Sequence, residues 1–288
     1  MKRIFLVTFI ILSTILCSCS QINEESINCS LNKNLLSVHF IDVGQGDSTL
    51  LISPDNKTML IDAGDNSHGQ KVVDYLNKLN IKKIDILVGT HPDADHIGGL
   101  DYIINNFDIG YFYMPNKSHN TNTFKDVLLV AKNKSLKIHK AKSGMSFSLG
   151  KFIKCNVLSP MKNYSENNLC SLVIKSTYKN KSFLFAADAE FQNEQDMINS
   201  NYNVKSNILK LGHHGSSSST SEGFLLKVSP DIAIISCKHN NKYNHPSEKT
   251  LTLLKKYNIP LYRTDKQDDI VLFCDGYEIF SYKRPLKL

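Results

Sequence analysis

Hydrophobic residues along this chain fall into short runs separated by turn residues, with helix-spaced stretches between them. Val38 to Val43, Ser48 to Ile52 and Met59 to Ile61 read as three successive strands, joined by turns at Gly44 to Asp47 and Asp55 to Lys57. Val72, Tyr75, Leu76 and Leu79 recur at helical spacing and predict a helix over Lys71 to Leu79. The unbroken apolar run Ile84 to Val88 predicts a buried parallel strand, and a short helix through Leu100 to Ile104 follows a polar loop. Tyr111 to Tyr113 reads as a strand whose aromatic rings belong to a core rather than to a base-stacking surface, and Phe124 to Ala131 as a helix. Strands are expected at Leu136 to His139, Phe147 to Ser148 and Phe152 to Leu158. Ser171 to Ser176 and Phe183 to Ala186 form a hairpin around Lys179 to Lys181, and Glu190 to Asn199 is helical. The last part predicts strands at Ile208 to Leu211, Ile232 to Ile235, Leu261 to Arg263, Ile270 to Phe273 and Glu278 to Tyr282, with a helix over Leu251 to Tyr257. No internal stretch looks like a linker and no short repeat is evident, so residues 35–288 are expected to form a single α/β domain.

The first residues follow a different pattern. Lys2 and Arg3 precede an apolar run from Ile4 to Leu16, then Cys17, Ser18 and Cys19. A membrane span needs about 20 apolar residues, so the shorter run reads as the core of a signal peptide. Leu16-Cys17-Ser18-Cys19 resembles the lipobox of bacterial lipoproteins. Residues 1–18 are therefore expected to be a lipoprotein signal peptide, with Cys19 lipidated and residues 19–34 a polar tether. The alternative is a cleaved secretory leader, and both place the mature chain outside the cytoplasm.

Composition adds less. The chain has 288 residues, of which 41% are hydrophobic, enough for a substantial core and against global disorder. Its formal charge of +7 is carried almost wholly by lysine, the arginines being Arg3, Arg263 and Arg284. A mildly basic surface permits an anionic polymer as partner without requiring one. Cys29, Cys155, Cys170, Cys237 and Cys274 form no CxxC pair and mostly sit in apolar runs, so buried thiols are expected and no disulfide can be selected.

The chemistry concentrates in His91-Pro92-Asp93-Ala94-Asp95-His96, just after the Ile84 to Val88 strand. Two imidazoles and two carboxylates at the carboxyl end of a parallel strand suit divalent cations. A solvated turn is the alternative, but two His with two Asp at this spacing are unusual in turns. Further polar residues sit at strand ends: Asp62 after Met59 to Ile61, Asp188 after Phe183 to Ala187, His213-His214-Gly215-Ser216 after Ile208 to Leu211, and His245 before Pro246. Singly, these read as a turn residue, a helix N-cap and a loop residue, except for the adjacent histidines.

HPDADH followed by Ile97-Gly98-Gly99 resembles the signature of the metallo-β-lactamase fold superfamily. HFIDVGQGDS (His39 to Ser48), LIDAG, FAADAE, LGHHGS and NHPS resemble, more narrowly, the extracytoplasmic hydrolase domain of ComEC-type DNA-uptake proteins, over roughly Leu35 to Phe273. The resemblance implies an αββα sandwich with a site for two divalent metal ions, Mn or Zn. It implies His91 and Asp93 on one ion, Asp95 and His96 on the other, Asp188 between them and His214 as a late ligand. Asp62 would orient the ligand loop, His213 would stabilise charge in the reaction, and His245 would contact phosphate or protonate the leaving oxygen. Ser216 and Lys210 are candidate substrate contacts, with Ser217, Lys238 and Lys242 nearby. Asp93 stands where the superfamily usually has a second histidine, and no histidine lies near Asn167 to Ser171, where another ligand is usual. The first half of the site is therefore oxygen-rich, which favours Mn²⁺. The expected function is a surface-anchored hydrolase, a phosphodiesterase or nuclease acting on extracellular DNA or RNA, and not a complete DNA importer. The alternatives are an esterase of phosphocholine or another cell-wall phosphodiester, and a non-catalytic binding lipoprotein, against which the full ligand set argues.

Overall fold

Strand period and helix period sort the chain into four layers. In the computed structural model, which describes residues 35–287, β1 (Leu36–Phe40), β2 (Thr49–Ile52) and β3 (Thr58–Ile61) pair antiparallel. β4 (Lys83–Val88), β5 (Asp108–Pro115) and β6 (Ile138–Ala141) extend them in parallel. Parallel neighbours need crossovers, supplied here by α1 (Gly69–Lys78), α2 (Ala94–Ile97), α3 (Leu100–Asn106) and α4 (Asn122–Asn133). The signal peptide, Cys19 and tether expected from the sequence lie outside the described residues.

A second sheet follows. β7 (Ser146–Leu149), β8 (Ile153–Ser159), β9 (Val173–Tyr178) and β10 (Lys181–Phe185) are antiparallel. β11 (Ile208–Lys210), β12 (Ile232–Ile235) and β13 (Leu261–Arg263) add in parallel. α5 (Phe191–Asn199), α6 (Glu222–Val228) and α7 (Glu248–Lys256) join them, and the short α8 (Thr264–Gln267) follows β13. β14 (Ile270–Cys274) returns to pair with β1, and β15 (Ile279–Phe280) with β14. The sheets run β15-β14-β1-β2-β3-β4-β5-β6 and β13-β12-β11-β10-β9-β8-β7.

Alternation along each strand divides the core. Phe40, Leu51 and Met59 face Ile174, Phe183 and Phe185 between the sheets. The opposite faces, with Leu50, Leu60 and Leu87, pack under Leu76 of α1 and Ile103 of α3. On the far side, Leu184 and Leu209 pack under Met197, Phe224 and Leu254. The result is the expected αββα sandwich in a single domain. Helix α6 is absent from the sequence reading. Its Phe224, Leu225 and Val228 are buried, and the Ser221 hydroxyl caps it by accepting from the Phe224 N–H. Of the aromatic run, Phe112 is core, but Tyr111 is 55% exposed and stacks on Tyr113. Cys155, Cys170, Cys237 and Cys274 are buried free thiols, as expected. No helix among the described residues is long and apolar enough to cross a membrane.

The fold puts the chemistry in one place. β1, β3, β4, β10, β11 and β12 all direct their carboxyl ends to the same edge of the sandwich, so the loops after them converge from both sheets.

Candidate metal centre

Asp62 leaves β3 in a left-handed conformation, φ 59°, which turns its carboxylate back under the loop after β4. There it accepts from the Thr90 N–H (2.8 Å) and hydroxyl (2.7 Å) and lies 2.8 Å from His96 Nδ1. The His96 ring is thereby fixed with Nε2 pointing toward Asp188. His214 is fixed from the other sheet, its Nδ1 lying 3.0 Å from the Ser236 carbonyl oxygen after β12. Two consecutive left-handed residues, His213 (φ 49°) and His214 (φ 54°), bring both rings up to Asp188 from the loop after β11. Gly215 follows at φ 80°, where a Cβ would meet Pro246 at 2.7 Å, so this tight corner needs glycine.

Asp188 occupies the middle. Its Oδ1 lies 3.1 Å from His96 Nε2 and 3.6 Å from His214 Nε2, and its Oδ2 lies 3.9 Å from His91 Nε2. Asp95 approaches His214 Nε2 at 3.3 Å, and Asp93 approaches His91 Nε2 at 3.5 Å. Of the six residues expected as ligands, His91, with Asp93 beside it, adjoins Asp188 on its Oδ2 side, and the other four form a tighter group. Asp95, His96, Asp188 and His214 each present a ligand atom within 4.8 Å of the others. The buried Nε2 atoms of His91, His96 and His214 and Oδ1 of Asp188 have no hydrogen-bond partner. Buried polar atoms are nearly always paired, so four orphaned atoms facing one another fit a cation.

The electrostatics agree. Burial opposes charge on His214, but Asp188, Asp47 and Asp95 outweigh it and raise its pKa to about 10. His96 is raised likewise against burial, by Asp188 and Asp62. Burial would raise the Asp188 pKa, yet the rings of His96, His214 and His91 hold it well below the usual range. The carboxylates demand positive charge, and imidazolium rings stand in where a divalent ion would sit.

The flanking residues sort less evenly. His213 is partly exposed, with Nε2 3.7 Å from Asp188 Oδ2 and Nδ1 held by Glu190 (3.3 Å) and the Ser218 hydroxyl (3.2 Å). His245 packs its ring 5.3 Å from that of His213. Burial, then His213 and His214, lower its pKa to about 4, so it is neutral near pH 7 and ill suited to protonating a leaving oxygen. Ser216 is buried and shares a hydrogen bond with Ser218. Lys210 does not reach the rim: it is 1% exposed and paired to Asp47, which corrects its reading as a substrate contact. Asn167 donates its amide to Asp93 Oδ1 at 2.6 Å and lies 3.1 Å from His119 Nε2. The sequence reading missed Asp47, His119, Asn167 as a partner of Asp93, Glu190 and Ser218. Asp47 lies in the GQGDS turn and Glu190 ends FAADAE, but neither pattern shows which residue it meets.

Residues 41–152 match the family model described as the metallo-beta-lactamase superfamily. The chain carries a metallo-β-lactamase domain. It is 33% identical over 251 residues to ComE operon protein 3 of Bacillus subtilis, an alignment covering 81% of this chain and 32% of that protein. It is 29% identical to Competence protein ComA of Neisseria gonorrhoeae over 81% of this chain and 31% of that one. The chain thus spans about a third of the length of these curated relatives. Among solved structures, the metallo-beta-lactamase fold protein YhfI of Bacillus subtilis superposes with a TM-score of 0.55, covering 84% of this chain and 100% of that one at 12% identity. That likeness concerns the metallo-β-lactamase fold alone.

Proposed function

We propose that the chain is an extracytoplasmic, lipid-anchored, metal-dependent phosphodiesterase that cleaves DNA or RNA. The observation that carries this reading is the set of orphaned buried ligand atoms on His91, His96, His214 and Asp188, beside the partly exposed Asp93, Asp95 and His213. His91 and Asp93 with Asp188 Oδ2 would hold one cation, and Asp95, His96 and His214 with Asp188 Oδ1 the other. Bound divalent cations supply Lewis acidity toward a phosphoryl oxygen and acidify water. The oxygen-rich half around Asp93 favours Mn²⁺. His213, its Nδ1 side held by Glu190 and Ser218, directs Nε2 toward Asp188 Oδ2 at 3.7 Å, where it can donate to a phosphoryl oxygen. His245 beside it is neutral and can donate one hydrogen bond to phosphate.

The same edge carries a cleft of about 450 Å³ lined by Asn116, Lys142, Lys162, Asn163 and Tyr164, without a carboxylate in its wall. Lys162 there is paired with Asp196 at 3.1 Å, while Lys142 and the amides beside the Tyr164 ring suit the phosphates and bases of a nucleic acid. The competence-protein names of the relatives support the same substrate class.

The test is turnover by the full chain with Mn²⁺ and with Zn²⁺ on single-stranded DNA, RNA, bis-p-nitrophenyl phosphate and a choline phosphodiester, across a salt series. We expect oligonucleotide cleavage with a KM that rises steeply with salt, the log–log slope of affinity being roughly −0.7 per phosphate contacted on a single strand. Turnover of the choline ester without nucleic-acid cleavage would reject this reading for the esterase. For the anchor, Cys19→Ser should release active protein into the medium, and its retention in membranes would reject lipidation.

A further inference from the structure

Lys210 ends β11, and its ammonium is buried between the layers. It donates to Asp47 Oδ2 at 2.9 Å, approaches Oδ1 at 2.8 Å and donates to the Leu211 carbonyl at 3.2 Å. Lysine is almost never fully buried unless paired, and a buried pair carries a desolvation penalty that two apolar side chains would avoid. The position of this pair is therefore more informative than its strength.

Asp47 lies on the β1–β2 turn of the first sheet, and Lys210 belongs to the second. The same aspartate touches both sides of the cluster. Its N–H donates to the Asp95 carbonyl at 3.2 Å, and its Oδ1 lies 3.3 Å from His214 Nδ1. Its own carbonyl accepts from the Gly64 N–H at 2.9 Å, just past Asp62. At Gly46 (φ 142°) a Cβ would fall 2.2 Å from the Asp95 carbonyl oxygen, so the turn is pressed directly against the ligand loop. Asp47 also lies with Asp62 and His96 in a second group whose ligand atoms are within 4.8 Å. The Lys210 ammonium already occupies the free side of that carboxylate.

We infer that the Asp47–Lys210 pair is an internal brace that fixes the Asp95 loop of one sheet against the His214 corner of the other, and so sets cation affinity in that half of the centre. Lys210 is thus a positioning residue acting through His214 and Asp95. The inference rests on the metal-centre reading of the same cluster.

The test is Mn²⁺ affinity of the full chain, by competition with a chelating dye, for wild type, Lys210→Met, His214→Ala and the double variant. Lys210→Met should weaken binding about 10- to 100-fold, the range for outer partners of metal ligands. In the His214→Ala background its effect should shrink, only the contact of Asp47 with the Asp95 carbonyl being left for it to act through. An equal loss in both backgrounds, or unchanged affinity, overturns the inference. Asp47→Leu with Lys210→Met removes both charges and guards against misfolding of the single variant. A brace predicts a folded protein whose Mn²⁺ affinity stays low and whose Co²⁺ absorption spectrum is altered, whereas wild-type affinity and spectrum would show a merely structural pair. A wild-type chain that binds neither Mn²⁺ nor Zn²⁺ rejects the metal-centre reading and this inference with it. Wild-type binding with an unaffected Lys210→Met rejects the inference alone.

Discussion

His39 and His214 are equally buried and electrostatically opposite. His39, on β1, contacts the hydroxyls of Tyr75 (2.8 Å) and Ser37 (3.0 Å), and burial lowers its pKa to about 3. His214 meets the same burial, but the carboxylates of Asp188, Asp47 and Asp95 raise its pKa to about 10. Burial alone keeps a ring neutral, so a buried ring that stays charged reports on its surroundings. The edge of the sandwich holds more negative charge than its own groups can neutralise without protons or cations. The region around His39 has no such demand, and it serves as the control for the centre.

The largest effect is expected at Asp188, whose oxygens face His91, His96, His213 and His214. Asp188→Ala should lose bound metal and bring cleavage to background, whereas His39→Gln should leave metal stoichiometry unchanged; metal analysis of both proteins decides. Unaltered stoichiometry in Asp188→Ala would break the comparison. Next comes Asp62→Ala, which frees the His96 ring and should weaken metal affinity about 10- to 100-fold. Asp93→His adds a nitrogen to the oxygen-rich half and should move the preference from Mn²⁺ toward Zn²⁺, measured as a ratio of activities. Equal ratios in wild type and variant would mean that Asp93 does not set the choice.

The smallest effect is in stability against pH, and its sign differs between the two histidines. His39 is depressed, so its contribution is fully present above the unfolded value near 6.5 and is lost as pH falls toward about 3. His214 is raised, so in metal-free protein its contribution is fully present below that value and is lost as pH rises through about 10. Each limb can reach at most about 1.4 kcal/mol per pH unit. Urea midpoints of metal-free protein should lose their alkaline fall in His214→Gln and part of their acid fall in His39→Gln. Retention of both limbs in both variants would contradict the assignment.

Much of the centre was legible because ligands sit at strand ends. Asp62, His91 to His96, Asp188 and His214 each follow an apolar run, and the fold gathers the ends of those runs. The contacts between layers were not legible. Asp47 meets Lys210 across 163 residues, and Asn167 meets Asp93 across 74. Strand period assigns Lys210 to a face but does not say that an aspartate from the other sheet waits there. Glu190 reads as a helix-start residue, and only its fold neighbours reveal that it steadies His213. Helix α6 was hidden by its length, although Ser221 ahead of Phe224, Leu225 and Val228 carries a capping signal.

The most direct test of the central claim is a Mn²⁺ titration of the full chain that follows, in one sample, bound metal and cleavage of a labelled single-stranded oligonucleotide. The account predicts that cleavage rises with occupancy, disappears with chelator and is absent in Asp188→Ala. Full occupancy without cleavage of DNA or RNA, or cleavage that persists in Asp188→Ala, would contradict it.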